Sequence, residues 1–182
     1  MIIGDRWPKS GVDICVTVLE GEDDGGAGGV GNMTVLAGAI TAASAALVDA
    51  GIDCVDLVSG GVAALVPAQT QEQEGRIHTQ VVLDPCPSEH ENVLAACVVG
   101  HLASRDEVTE IWMKGSPAGS QGVGEDALLD SAVEAAVASR TVLAAALVEA
   151  TEARLGGLQV EEQGKNGNGV VNTGQDIEMA AA

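Results

Sequence analysis

The sequence predicts an α+β domain, a β-sheet with helices packed on it. Two observations lead there. Two Ala-rich segments with helical spacing, 34–51 and 127–156, bracket a run of β-branched segments. The 182 residues are 46% apolar, yet Phe and Tyr are absent and Trp7 and Trp112 are the only aromatic residues. The core must therefore be built from Ala, Val, Leu and Ile, whose small size suits tight helix-on-sheet layers.

The elements run in order along the chain. "VDICVTVLE" (12–20) alternates loosely and reads as a strand. "GEDDGGAGGVGNM" (21–33) is a Gly-rich acidic loop. "TVLAGAITAASAALVDAG" (34–51) is a helix, with Asn32 or Thr34 as cap and Gly51 at the stop. Leu36, Ile40, Ala43 and Leu47 define its buried face, and the small residues opposite predict that the other face is covered too. "VDLVSGGVAALV" (55–66) reads as a strand with a Gly-Gly bulge or bend. After a polar loop (67–76), "IHTQVVLD" (77–84) and "NVLAACVVGHLAS" (92–104) are strands. "ASRDE" turns into a further strand at 106–115, which sets Val108, Glu110 and Trp112 against Thr109, Ile111 and Met113. Residues 116–126 form a linker. The helix at 127–156 carries Leu128, Val133, Val137, Val142 and Leu147 on its buried side. Residues 156–182 are too poor in apolar side chains to pack and read as a disordered tail.

The formal net charge is −19, from 27 acids and 8 bases. That excludes a general nucleic-acid binder acting through its own basic patch and suits a basic partner. Cys15, Cys54, Cys86 and Cys97 read as free thiols of a reducing compartment. "MIIGDRWPKSG" lacks the apolar core of a signal peptide. No stretch is apolar over the roughly 18 residues of a membrane helix without a charge or breaker, so no membrane contact is expected.

Several groups have the residue types of a site. "LDPCPSEHE" (83–91) places Asp84, Cys86, Glu89 and His90 together, types that bind metals or move protons. Cys86 and His90 repeat the spacing of Cys97 and His101, which suggests four zinc ligands. Against this, Cys97 and His101 fall in one strand, where four residues span about 13 Å. Glu20, Glu22, Asp23 and Asp24 are carboxylates of the kind that hold Ca²⁺ or Mg²⁺, but without EF-hand spacing they read as a solvated loop. The Gly-rich loop before a helix suits phosphate, yet no Lys-Ser/Thr follows and acids surround it. Arg105 and Asp106 read as a turn pair, and Lys114 as a solvated strand end. These residues alone give no catalytic set, metal site or cofactor site.

"VTVLEGEDDGG", "VLAGAITAASAALVDAGIDCVDLVSGGVAAL", "VVLDPCPSEHE", "VLAACVVGHLASRDEVTEIWMKG" and "LLDSAVEAAVASRTVLAAAL" together resemble the second half of the ribonuclease PH domain, over about residues 11–155. "AGAITAASAALVDAGI" is the most specific part. Within that family the likeness is to ring subunits of the RNA exosome. The resemblance implies a partial ribosomal protein S5 domain 2-like sheet with packed helices, preceded by a remnant at 1–10. Active members carry Gly-Thr-Arg at the start of the helix, the Arg gripping phosphate. Here Val35 and Leu36 stand at the Thr and Arg positions, and no Arg or Lys lies between Lys9 and Arg76. Asp84 matches the first acid of the following strand, while Cys86 and His90 replace later ones.

The resemblance therefore implies a catalytically inactive ring subunit supporting 3′–5′ RNA processing and decay, including ribosomal RNA maturation, in nucleus, nucleolus and cytoplasm. Implied partners are other ribonuclease-PH-like ring subunits, an RNA-binding cap subunit, and RNA threaded through the ring. The family's front half, with its basic RNA-contacting segments, has no counterpart before residue 11. The expectation is a truncated form with an exposed sheet edge. Rival expectations are an active phosphate-dependent 3′ exoribonuclease, a small Cys/His zinc protein and a non-functional truncation.

Overall fold

The computed structural model describes residues 2–6, 8–21, 30–68, 79–90, 92–116 and 124–166, with 157–166 described only as helix. The chain divides into two compact units, Met1–Ala145 and Ala146–Ala182. The whole sheet, the first long helix and the sheet-packed part of the second belong to the first unit. Glu22, Asp23 and Asp24, most of the 67–76 loop, Glu91 and most of the linker lie outside the described residues.

Helix α1 (Val30–Asp49) is followed by strands β1 (Val58–Pro67), β2 (Thr79–Leu83), β3 (Ala95–Leu102) and β4 (Glu107–Gly115), then helix α2 (Glu125–Asn166). The four strands form one antiparallel sheet in the order β2-β1-β3-β4. This is the α+β arrangement expected. Gly51, with φ +70°, ends α1 in the left-handed turn that glycine allows without steric cost.

Alternation along β1 and β3 creates two cores. Val62, Ala64, Val66, Ala96 and Val98 pack on Val30, Met33 and Ala37 of α1. Ala63, Leu65, Ala95, Cys97 and Val99 pack on Leu128, Ala132 and Ala136 of α2. The helices thus cover opposite faces of the same two strands. By length and composition alone, α1 and residues 125–156 are long and apolar enough to span a membrane, which the sequence reading did not expect. Their small residues instead set them against β1.

Gly60 and Gly61 make that approach possible. A Cβ on Gly60 would run into the Ala37 backbone, and one on Gly61 into the backbone of Ala132 and Ala136. The pair forms no bulge between β1 and β3, since Gly60 faces Gly100 and Gly61 faces Val99 in unbroken register. Close backbone packing, not a bend, explains the two glycines.

The same closeness corrects the expected ridge of α2. Leu128 is buried, but the ridge continues through Ala132 and Ala136. Val137 is 44% exposed and Val142 70% exposed. A valine ridge would hold the helix too far from Gly61. On α1, Ala37 and Ser44 are buried, while Leu36, Ile40, Ala43 and Leu47 are half-buried.

Three further expectations change. Residues 11–20 form no strand and are exposed, with Val12, Ile14, Val16 and Val18 all open to solvent. A strand exists only by pairing, and no described segment pairs with this one. In β4 an irregularity between Gly100 and His101 pairs Glu110 with Gly100 but Val108 with His101. Thr109 is left as the extra residue of a bulge, so Val108 joins Ile111 and Met113 on the α2 side. Finally, α2 continues to Asn166, past the expected start of a tail at 156, and 167–182 lie outside the described residues. The four cysteines are thiols; Cys15 is exposed and Cys97 buried.

The glycine pair yields a stability test. Gly61→Ala should lower the unfolding free energy by about 3 kcal/mol, as backbone must move to admit one methyl. Gly38→Ala, whose Cβ meets open space on α1, should raise it by about 0.5–1 kcal/mol. Urea denaturation of the two variants measures both signs.

Candidate functional site

The free edge of β1 builds the principal cleft. β2 pairs with β1 only from Ala63 onward, and Asp84 extends the pairing by donating its N–H to the Val62 carbonyl at 2.9 Å. Beyond that point α1 closes the edge with hydroxyls. Thr41 Oγ1 accepts from the Gly60 N–H and Ser44 Oγ from the Val58 N–H, each at 2.9 Å. A cavity of about 580 Å³ opens here between α1, the end of β2 and α2. Thr34, Thr41, Asp84 and Ser139 supply its polar side chains, and Ala, Gly, Val and Leu the rest.

Those hydroxyls are already committed. Thr41 also donates to the Ala37 carbonyl at 3.1 Å, and Ser139 donates to the Ala135 carbonyl at 3.1 Å. The Thr34 hydroxyl lies 3.4 Å from the carbonyls of Val30 and Pro85. Asp84 is exposed and left-handed (φ 48°), the one charged group among the described residues lining the cleft. Among the described residues no Arg, Lys or His joins it there. Leu36 packs against the α1 core. A phosphate in this cleft would meet a carboxylate with no cation to offset the repulsion.

The stretch "LDPCPSEHE" is split rather than assembled. Asp84 faces the cleft. Pro85 and Pro87 are buried and turn the chain away. The Cys86 carbonyl then accepts from the N–H groups of Glu89 and His90 at 3.0 and 3.1 Å and lies 3.2 Å from His90 Nδ1. Glu89 and His90 line a separate cavity of about 390 Å³ with Val66, Pro67, Gln80, Ser88 and Asn92. Cys86 lines neither; its Sγ lies 2.8 Å from Ser88 Oγ. Cys97 and His101 sit in β3, and no described group of three His, Cys, Asp or Glu side chains comes together for a metal. Burial pushes the Cys97 thiol up, away from reactivity.

Arg105 reaches Glu107 at 4.0 Å rather than pairing with Asp106. Asp106, in a left-handed turn (φ 52°), lies 3.3 Å from Nε2 of the buried His101. Lys114 is at the exposed end of β4. Glu20 is exposed beside the undescribed loop.

Sequence reasoning missed the strongest polar contact. Asp56, just before β1, accepts from the Leu57 N–H and from Arg140 Nη2 of α2 at 2.8 Å each. Its second oxygen accepts from the Ser104 N–H in the β3–β4 turn at 2.9 Å. Burial pushes the Asp56 carboxyl up, but hydrogen bonds from Arg140, Leu57 and Ser104, with the Arg140 charge, outweigh it and hold it below the ordinary value. Ser59 Oγ, His101 Nδ1 and Arg140 Nε are buried without hydrogen-bond partners among the described residues. The only signal in the sequence was the isolation of Arg140, the single Arg or Lys between Lys114 and Arg154.

No family model matches the chain. Three curated relatives do. "Exosome complex component MTR3" of Chaetomium thermophilum is 46% identical over 155 residues, 81% of this chain and 52% of the relative. Its Schizosaccharomyces pombe counterpart is 33% identical over 110 residues, 60% of this chain and 37% of the relative. The human one is 32% identical over 130 residues, 71% and 38%. The chain spans about half the length of the first of these relatives and less of the others. Over the shared stretch it is a homologue of the MTR3-type exosome components, and a ribonuclease-PH-like fold goes with that kinship.

The Asp56 clamp predicts a pH effect. A depressed carboxyl stabilises the fold above its unfolded pKa, near 3.8, and that contribution is lost as pH falls through the folded value. Asp56→Asn should cost about 1–3 kcal/mol at pH 7. It should also flatten the loss of stability below about pH 4. Urea midpoints of both proteins from pH 7 to 2.5 measure this.

Proposed function

We propose that this MTR3-type chain serves as a catalytically inactive structural ring subunit of the RNA exosome, supporting 3′–5′ RNA processing and decay, ribosomal RNA maturation included. Residues 11–155 act as the second half of a ribonuclease-PH-like domain. The alternating, solvent-open segment 12–20 is read as a strand that forms once a partner strand is supplied. The partners are neighbouring ribonuclease-PH-like ring subunits and an RNA-binding cap subunit, with RNA passing through the assembled ring. The setting is nucleus, nucleolus and cytoplasm.

The observation that carries the reading is the cleft at the free edge of β1. It keeps Asp84, yet among its described residues it has no cation, and the phosphate-gripping position holds Leu36, half-buried against the α1 core. Phosphorolysis needs a charged fork on phosphate and acids on a metal. Cys86 and His90, which replace two of those acids, do not line the cleft. With a net charge of −19 the chain adds no basic RNA path of its own, which suits a scaffolding role.

Reconstitution with the ring subunits of the same organism tests this. The chain should enter the ring, and RNA turnover with inorganic phosphate should change less than about twofold on Asp84→Ala. Cys86→Asp combined with His90→Asp should create no phosphorolysis. Release of nucleoside diphosphates that Asp84→Ala abolishes would overturn the inactive assignment, and failure to enter any ring would overturn the assembly role.

A further inference from the structure

The face of the sheet that carries α2 is only partly covered. Pocket-side residues Ala135, Ala138, Ser139 and Leu143 turn one flank of α2 toward Asp84 and the β2 edge. The other flank, on the side of Arg140 and the β3–β4 turn, therefore overlooks β4. Leu129 and Val133 on that flank are half-buried against the α2 core, and Val137 is 44% exposed. Beside them β4 presents Val108, Ile111 and Met113, brought onto one face by the bulge and exposed at 38%, 50% and 37%. From this placement of ridge and row we infer an apolar groove above β4.

The spacing fits a helix. Strands lie about 4.8 Å apart. Packed helices lie about 8–10 Å apart. With α2 seated over β1 and β3, a second helix beside it rests over β4.

The rim states what kind of helix. Asp126, Asp130 and Glu134 recur at intervals of four, each three residues before Leu129, Val133 and Val137. They line the outer side of the apolar ridge, are not buried, and have no ion pair among the described residues. Exposed Glu107 stands at the start of β4. An apolar floor with a carboxylate rim on a strongly acidic chain is complementary to a helix whose apolar stripe is flanked by Lys or Arg.

We propose that the groove between the Leu129–Val133–Val137 ridge of α2 and the Val108–Ile111–Met113 row of β4 docks a basic amphipathic helix of a partner protein. Apolar burial supplies the affinity, and the acids select the partner and its direction. The identity of the protein that brings the helix rests on the ring-assembly role above; the chemistry of the groove does not.

Two experiments separate these. First, the full chain is titrated by calorimetry with a synthetic amphipathic Leu/Lys peptide of about five helical turns and with its Leu/Glu counterpart. The Leu/Lys peptide should bind and the Leu/Glu peptide should not. Ile111→Glu or Val137→Glu should weaken binding at least about tenfold, while Val142→Glu, on the opposite flank, should change it less than about twofold. Circular dichroism verifies that these exposed-site variants stay folded. Equal binding by groove variants and wild type, or no binding of the Leu/Lys peptide, overturns the proposal. Second, a photo-crosslinker replaces Val137 in the reconstituted ring. Attachment to a Lys/Arg-flanked helix of a neighbour supports the proposal; attachment to a strand, or to a second copy of this chain, overturns it. If no ring forms, the assembly role fails and the peptide titration still decides the groove.

Discussion

Two adjacent glycines in the central strand carry the architecture. Gly60 and Gly61 point to opposite faces of β1, and each meets helix backbone where a side chain would otherwise stand. That contact requires small residues on the helices as well, which is why Ala37, Ala132 and Ala136 form buried points of α1 and α2. A core without Phe or Tyr follows from the same constraint, since large rings do not fit between layers held so close. The Ala-rich helices, which by composition alone would pass for membrane spans, are explained by what they press against.

Close packing of small side chains leaves little to fix the helices in angle. The Asp56 carboxylate supplies that fixity, joining the start of β1, the β3–β4 turn and α2 through hydrogen bonds from Leu57, Ser104 and Arg140. Partial burial strengthens each of these bonds, and an acid without them would be destabilising there. The buried polar atoms of Ser59, His101 and Arg140, without hydrogen-bond partners among the described residues, make this end of the α2 interface polar where the remainder is apolar.

Function reads from the cleft beside β1 as much by what its wall is made of as by its shape. The site has the acid that ends β2, but the hydroxyls around it are spent on backbone and its described lining brings no cation. Among the described residues such a wall offers an incoming phosphate no opposite charge. Strand β4 and the alternating segment 12–20 are open to solvent.

The α+β class and the order from α1 through the four strands to α2 were legible in the sequence, because period, turn residues and residue identity are local. The hairpin at 103–106 and the stop at Gly51 were legible for the same reason. Other features depended on what lies opposite each residue. Pattern favoured Val137 and Val142 as core, but proximity to Gly61 gave that place to Ala132 and Ala136. Alternation suggested a strand at 12–20, but pairing decides strands, and no described neighbour pairs with it. "LDPCPSEHE" looked like one site, yet two buried prolines divide it between two cavities. The bulge that moves Val108 across β4, and the reach of Arg140 to Asp56 across 84 residues of chain, are likewise properties of contact. Sequence determined which segments form helices and which form the four paired strands; tertiary structure decided which side chains touch, because burial and pairing belong to pairs of segments and not to one.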